Sequence, residues 1–215
     1  QLVVDKLFFR GEEVYSEQLQ LFTRELTQTV DLPIIVSFMR RTIIKSMQPK
    51  RLHIFVYDPQ TQFYVTTKDE NGQLTSDLRF TNQSGLVRSL SFKQSAIFVG
   101  GTDTFPLDLY AEKTRLALLG AQLYVALPGQ ERLAGWLALG PRLSGDVYSK
   151  QDLEFLVSMC EQVALAIERA QVLADKDRRV HDMMPIDTDR LMPHGAPIAI
   201  TKSPSDRREE SPSSA

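Results

Sequence analysis

The sequence predicts an α+β domain, and three observations carry that prediction. Residues 13–47 and 149–180 place apolar side chains at helical spacing, whereas short β-branched and aromatic runs, separated by turn residues, fill the stretch between them. Hydrophobic residues make up 42% of the chain and charged residues 24%, which is typical of a globular domain with a packed core. The 215 residues suffice for one domain of about 150 residues with flanking segments.

Two amphipathic helices are predicted first. Residues 13–30 carry a stripe of apolar side chains near helical spacing, namely Leu19, Leu21, Phe22, Leu26 and Val30. Asp31 has the character of an N-cap, and Pro33 follows in the first turn of a second helix, where proline is tolerated. That helix is expected to run to about Met47.

The middle of the chain predicts short strands. Residues 51–58 (RLHIFVYD) and the following QFYVTT, separated by turn residues, indicate a β-hairpin. Asn71-Gly72 is a strong turn signal that returns the chain to a strand at residues 78–81. A short helix, a further strand, a loop and a second short helix are expected before residue 120.

A second hairpin is predicted around Gly129. Its two strands, AQLYVALP and RLAGWLALG, are apolar on both faces. Strands of this kind are covered on both sides. The sequence therefore predicts a sheet that lies between two layers of helices or loops.

A long closing helix follows. Ser149 and Asp152 form a capping box at its start, and the helix is expected to continue to about Val180. Its apolar residues alternate spacings of three and four, which is typical of a coiled-coil homodimer. The predicted dimer seam comprises Leu156, Cys160, Val163, Ile167, Ala170 and Ala174. Packing on the domain's own sheet is the alternative for residues 153–163, whereas the helix beyond Ile167 is expected to outrun the domain.

The composition divides the chain into three parts. We expect a lead-in segment over residues 1–12, a domain with flanking helices over residues 13–181, and a tail over residues 182–215. Prolines recur in the tail and its end, SDRREESPSSA, is polar, so we expect the tail to be disordered. No apolar run reaches the 18 or so residues that a membrane helix needs, so no span is expected in this segment.

Charge and residue types exclude several classes of function. The net charge of −2 argues against nucleic-acid binding, and the lone cysteine, Cys160, excludes a disulfide framework and a thiol-rich metal site. The histidines, His53, His181 and His194, have no carboxylate or cysteine at metal-ligand spacing. The glycine-rich loop of a phosphate-binding enzyme does not occur either. We therefore expect no catalytic residues, no metal site and no enzyme.

Three strings carry a resemblance to a known family. RLHIFVYDP resembles the first strand of a GAF domain, LYVALPGQERLAGWLALGPRLSG the family's late hairpin, and VYSKQDLEFLVSMCEQVALAIERAQ its closing helix. The opening residues are similar to the segment before GAF domains of bacterial sensor histidine kinases, which belong to two-component systems. The resemblance covers about residues 1–181. It implies an antiparallel sheet of about six strands, with long helices on one face and short helices and loops over a pocket on the other.

The resemblance also implies a function. We expect a cytoplasmic, homodimeric and non-catalytic input module of a larger signalling protein, which senses a small ligand and relays the change through its helices to an output domain. The alternative is a ligand-free structural dimerisation spacer. A membrane anchor elsewhere in the parent protein is compatible with both.

The sequence supports no particular cofactor. A covalent bilin needs a cysteine at the pocket, and Cys160 lies on the closing helix instead. The sequence pattern of GAF domains that bind cyclic nucleotides has no counterpart here, and His53 alone is a thin basis for haem. A GAF domain that reduces methionine sulfoxide needs several pocket cysteines, and this chain has one.

Four side chains are the ligand-pocket candidates. Alternation places His53 and Tyr57 on one face of the first strand, with Tyr124 and Trp136 on the late hairpin. Side chains with an apolar body and a polar tip suit the walls of a ligand pocket. The alternative is an aromatic core beneath the short helices, and the sequence leaves open which face of the sheet forms the pocket.

Overall fold

The computed structural model describes residues 2–92, 95–99 and 105–183 of the chain, and of residues 2–14 and 177–183 the helical backbone alone. The helices within these ranges are α1 (Leu2–Thr27), α2 (Leu32–Met47), α3 (Gly85–Phe92), α4 (Lys113–Leu119) and α5 (Lys150–Met183). A 3-10 helix, Leu107–Glu112, leads into α4. The strands are β1 (Leu52–Asp58), β2 (Phe63–Thr66), β3 (Ala96–Phe98), β4 (Leu123–Leu127) and β5 (Gly135–Leu139).

The strands form one antiparallel sheet in the order β2-β1-β5-β4-β3. Its centre is β5, where Trp136 lies opposite Phe55 of β1 on one side and Ala126 of β4 on the other. The two hairpins that the sequence predicts, β1 with β2 and β4 with β5, are confirmed. Both hairpins thus belong to the same sheet, in which β1 pairs with β5, a strand remote from it in sequence.

The described residues form five strands, whereas about six were expected. The predicted strand at residues 78–81 pairs through Phe80 alone, which exchanges two backbone hydrogen bonds with Tyr64, of 2.7 and 3.1 Å. The pairing stops there because the chain turns at once, and the Ser84 amide donates to the Thr81 carbonyl just before α3. Phe80 itself is fully buried.

The alternation of side chains along β1 divides the core into two layers. Leu52, Ile54 and Val56 pack against α1, α2 and α5 in the helix-face core, whose other members include Phe22, Ile35, Met39, Leu156, Met159 and Val163. The opposite face of the sheet, beneath α3 and α4, holds what we call the aromatic layer: Phe55, Tyr57, Tyr64, Phe80, Tyr124 and Trp136. Long helices on one face and short helices on the other are the arrangement that the resemblance implies, and it is confirmed.

The boundaries of the first two helices follow local signals in part. The Asp31 side chain accepts a hydrogen bond from the Ile34 amide at 3.3 Å, with Pro33 in the first turn, so the predicted N-cap of α2 is confirmed. By contrast, α1 begins at Leu2, well before residue 13. Gly11 lowers helix propensity in the lead-in segment but does not end the helix.

The start of α5 is a junction built around the Asp152 carboxylate, which is 3% exposed. The Ser149 amide donates to Asp152 Oδ2 at 2.8 Å and the Asp152 amide donates to Ser149 Oγ at 3.1 Å, so the predicted capping box is confirmed. Arg142 Nη1 also donates to Oδ2 at 2.8 Å, and the Tyr15 hydroxyl donates to Oδ1 at 2.5 Å. Burial and the neighbouring carboxylate raise the pKa of Tyr15 to about 12. One side chain thus ties α1 and the loop after β5 to α5.

Asp152→Asn is expected to lower the free energy of unfolding by about 2 to 3 kcal/mol, because it removes the charge that pairs with Arg142 and keeps the shape. Glu154→Gln is the matched control on the same turn. Glu154 pairs with Lys150 at 3.4 Å, but the two side chains are 63% and 90% exposed, so its loss should stay below about 0.5 kcal/mol. Urea denaturation measures both, and equal small losses would show that the junction does not stabilise the fold.

The structure corrects the predicted dimer seam. Five of its six residues are 0 to 5% exposed and lie in the helix-face core: Leu156, Cys160, Val163, Ile167 and Ala170. The apolar period of the helix is satisfied inside the domain, because α1 and α2 both pack against this side of α5. Ala174 alone among the six is exposed.

Two further expectations concern a membrane span and the tail. No helix in the described part combines the length and the apolar character that crossing a membrane requires. The predicted tail lies outside the described residues from residue 184 onward.

Candidate functional site

The four ligand-pocket candidates lie together on the face of the sheet that carries the aromatic layer. His53 and Tyr57 are on β1, Tyr124 is on β4 and Trp136 is on β5. All four are buried, at 0 to 7% exposure. The alternation of the strands therefore brings these residues to one face.

Trp136 is the centre of the aromatic layer. Its ring stacks on Phe55 with the centroids 3.9 Å apart and the planes 10° apart, and Phe80 meets it edge-on at 5.1 Å. Tyr124 lies tilted at 6.0 Å. Such pairs stabilise a core beyond the area that they bury. Protein side chains therefore occupy the space beside the indole, where a ligand would have to lie.

Two of the three tyrosine hydroxyls of this layer, those of Tyr64 and Tyr124, are hydrogen-bonded within the protein. The Tyr64 hydroxyl lies 3.0 Å from Asn82 Oδ1 and 3.1 Å from the Leu133 carbonyl, and the Tyr124 hydroxyl lies 3.4 Å from the Leu116 carbonyl. Burial raises the pKa of Tyr64 to about 12 and raises that of Tyr124 as well. Both hydroxyls therefore keep their protons at neutral pH and act as hydrogen-bond donors.

Three buried side-chain nitrogens have no hydrogen-bond partner among the described residues: Arg40 Nε, His53 Nδ1 and Trp136 Nε1. The last two belong to the ligand-pocket candidates. His53 Nε2 lies 3.1 Å from the Leu119 carbonyl, so Nε2 carries the proton. Burial lowers the pKa of His53, and the charges of Arg40 and Arg51 act in the same direction, which keeps the ring neutral. An unpaired buried polar atom costs about 1 to 3 kcal/mol, so a molecule that accepts a hydrogen bond from Trp136 Nε1 would gain binding energy there.

No protein-family model and no curated protein matches the sequence. Among solved structures, the GAF domain of an Acinetobacter phosphoenolpyruvate-protein phosphotransferase superposes with a TM-score of 0.55 at 15% identity, over 75% of this chain and 98% of that one. The GAF domain of a putative sensor histidine kinase from Pseudomonas syringae pv. tomato gives 0.52 at 12% identity, over 81% and 99% of the two chains. The chain has a GAF-like fold. Free methionine-R-sulfoxide reductase from Neisseria meningitidis is also similar, with a TM-score of 0.55 at 16% identity over 75% and 93% of the chains.

The described residues of the GAF-like domain offer no support for thiol or metal chemistry. Cys160, the one cysteine of the sequence, lies in the helix-face core, on the opposite side of the sheet from the aromatic layer. Burial raises the pKa of its thiol, so it stays protonated and unreactive. These properties do not fit a covalently held bilin. The described residues also contain no group of three or more His, Cys, Asp or Glu side chains that could hold a metal ion.

An open groove of about 710 Å³ lies outside the aromatic layer. Its walls come from α5, the β4–β5 loop, the end of β1 and the α1–α2 connection. Tyr57 is the only one of the four candidates that lines it, with the Arg132 guanidinium over the Tyr57 ring at 4.6 Å. A smaller cavity of about 320 Å³ lies between α3, β4 and α5.

Sequence reasoning missed two members of the aromatic layer and the whole groove. The Phe80 ring packs against Trp136, and the Tyr64 ring packs against Tyr57. The backbones of Phe80 and Tyr64 are joined by a single β-bridge. The Asn71-Gly72 turn signalled that the chain returns near Phe80, but one bridge has no period that a sequence pattern reveals. The groove is formed by segments that are remote in sequence, so it left no local signal.

Proposed function

We propose that this GAF-like domain is a non-catalytic regulatory module of a larger signalling protein, and that it relays a change along α1 and α5 to an output domain. One observation carries the proposal: the two long helices pack side by side and project from opposite ends of the domain. The solved relatives named as GAF domains of a phosphotransferase and a sensor histidine kinase support the same function by analogy.

The contacts between the two helices fix their relative direction. Tyr15 stacks on Phe155 with centroids 4.7 Å apart, and further along both helices the Thr23 hydroxyl donates to Gln162. Both residue numbers rise together, so α1 and α5 run parallel. Residues 2–11 therefore extend about 15 Å past the start of α5 at one end, at 1.5 Å per residue, and residues 167–183 extend about 25 Å past the end of α1 at the other.

This geometry suits transmission of a displacement. The helices share the helix-face core with the sheet, so a shift of one helix changes the packing of the other. A homodimer through the projecting ends belongs to the proposal, as does a cytoplasmic location. With five seam residues buried, its contact surface on α5 begins near Ala174.

Two modes of action fit this module, and the aromatic layer has features that favour each of them. The packing around Trp136 favours a ligand-free spacer, because the layer is filled by its own side chains. Sensing of a small molecule is favoured by Trp136 Nε1, a buried donor that has no partner among the described residues.

A ligand screen tests the sensing mode. A molecule at about 100 times its dissociation constant stabilises the fold by about 2.7 kcal/mol, which raises the Tm by roughly 5 to 10 °C for a chain of this size. Nucleotides, haem, small aromatics and organic acids are screened by thermal shift, and emission of the single tryptophan reports binding at the layer. Trp136→Phe is the control that removes the emission signal and keeps an aromatic ring. A broad screen without either response rules out the sensing mode for these classes and leaves the spacer.

A further inference from the structure

The groove beside α5 has apolar walls that the described residues leave uncovered. Four large side chains that line it are substantially exposed: Val30 at 59%, Leu165 at 44%, Val172 at 54% and Leu173 at 42%. The last three lie along about two turns of α5. Tyr57 and Leu133 form the deeper wall and are buried. A contiguous apolar surface rimmed by polar residues is typical of an interaction site.

Hydrogen bonds between side chain and backbone shape the groove before anything binds. Gln171 Nε2 donates to the Tyr57 carbonyl at 3.0 Å, and the Gln130 amide donates to Glu168 Oε1 at 2.8 Å. They tie the end of β1 and the β4–β5 loop to α5. A preformed site loses less conformational entropy on binding, so a short segment suffices to fill it.

We propose that the groove is the docking site for an apolar segment of the chain's own tail, residues 191–200 (LMPHGAPIAI). The distance along α5 from Val172 to Met183 is about 17 Å at 1.5 Å per residue. Residues 184–190 span up to about 23 Å when extended, at 3.3 Å per residue, so they reach back to Val172. The segment then runs against the direction of α5 and covers the roughly 11 Å from Val172 to Leu165.

The composition of the segment favours this occupant. It is the apolar stretch that precedes a polar end, residues 201–215 (TKSPSDRREESPSSA). Pro193, Gly195 and Pro197 disfavour a helix and favour an extended chain, which is the form that lies along a groove with an aromatic side chain in its wall. Attachment to α5 also gives the segment an effective concentration in the millimolar range, which a separate partner lacks.

Docking has a consequence for the exposed side of α5. The bound segment covers Leu165, Val172 and Leu173, and release of the tail uncovers them. The tail then acts as an intramolecular cover that competes with any second helix for this surface.

The test uses the full chain and a double-mutant cycle. The tail variant is Ile198→Asp with Ile200→Asp, the groove variant is Leu173→Asp, and the third protein combines them. The first two are each expected to lower the Tm by about 2 to 6 °C, and the combination by no more than the larger single loss, because both remove the same contact. The control, Ser211→Asp with Ser213→Asp, adds the same charge outside the segment and is expected to leave the Tm unchanged.

Each other outcome overturns the proposal. A tail variant that melts like the serine control shows that the segment makes no stabilising contact. Losses that add show that the tail and the groove act independently. A second copy of the chain in the groove predicts that the Tm rises with protein concentration and that Leu173→Asp, but not the tail variant, abolishes this rise. The tail residues lie outside the described core, so their substitution tests docking without unfolding the domain.

Discussion

Ile167→Asp is expected to unfold the domain rather than to produce a folded monomer. Ile167 is fully buried in the helix-face core, although the heptad pattern placed it in a dimer seam. The substitution removes a packed side chain and buries an unpaired carboxylate, which together cost more than about 4 kcal/mol. That loss approaches the whole stability of an ordinary domain, about 5 to 15 kcal/mol. Circular dichroism and urea denaturation measure the result.

Ala174→Asp is the matched control, seven residues further along the same helix. Ala174 is exposed, so this variant is expected to fold with a free energy of unfolding within about 0.5 kcal/mol of the original. If the projecting end of α5 forms a dimer, sedimentation shows that the control shifts toward monomer at unchanged stability. A folded Ile167→Asp protein with altered sedimentation would contradict the structure and restore the predicted seam.

The seam shows what a sequence period can and cannot determine. Spacings of three and four place residues such as Leu156 and Ile167 on one apolar stripe of α5, and the structure buries this stripe in a core. The identity of the partner is not part of the period, because a helix of the same domain satisfies it as well as a second copy does. Here Phe22 and Leu26 of α1 and Met39 of α2 join the stripe in one core, and their positions depend on the whole fold.

The aromatic layer shows a similar division. Alternation along β1 was enough to place His53 and Tyr57 on one face, but the sequence left open which face of the sheet forms the pocket. Whether the face encloses a cavity depends on how closely α3, α4 and Phe80 approach it. These are tertiary distances, and the stacking of Phe55 on Trp136 at 3.9 Å is the kind of detail that strand periodicity does not encode.

Trp136→Ala is expected to lower the free energy of unfolding by about 3 to 5 kcal/mol. The indole is fully buried against Phe55, Phe80 and Tyr124, so truncation leaves a cavity that the surrounding aromatic rings only partly close. Urea denaturation measures the loss. Phe98→Ala is the matched control, because Phe98 lies on β3 of the same sheet but is 43% exposed, and its loss should be about 1 kcal/mol or less.

Rescue by indole then separates a filled core from a ligand pocket. An apolar cavity in a rigid surround binds a molecule of matching shape, so indole is expected to raise the Tm of Trp136→Ala and to leave that of the original protein unchanged. This rise in the Tm requires that the rings of Phe55 and Phe80 keep their positions when the Trp136 side chain is removed. A small loss for Trp136→Ala, or a Tm of the original protein that already rises with indole, would show that the layer holds free space beside Trp136. Such free space would support the sensing mode, because a ligand could then bind beside Trp136.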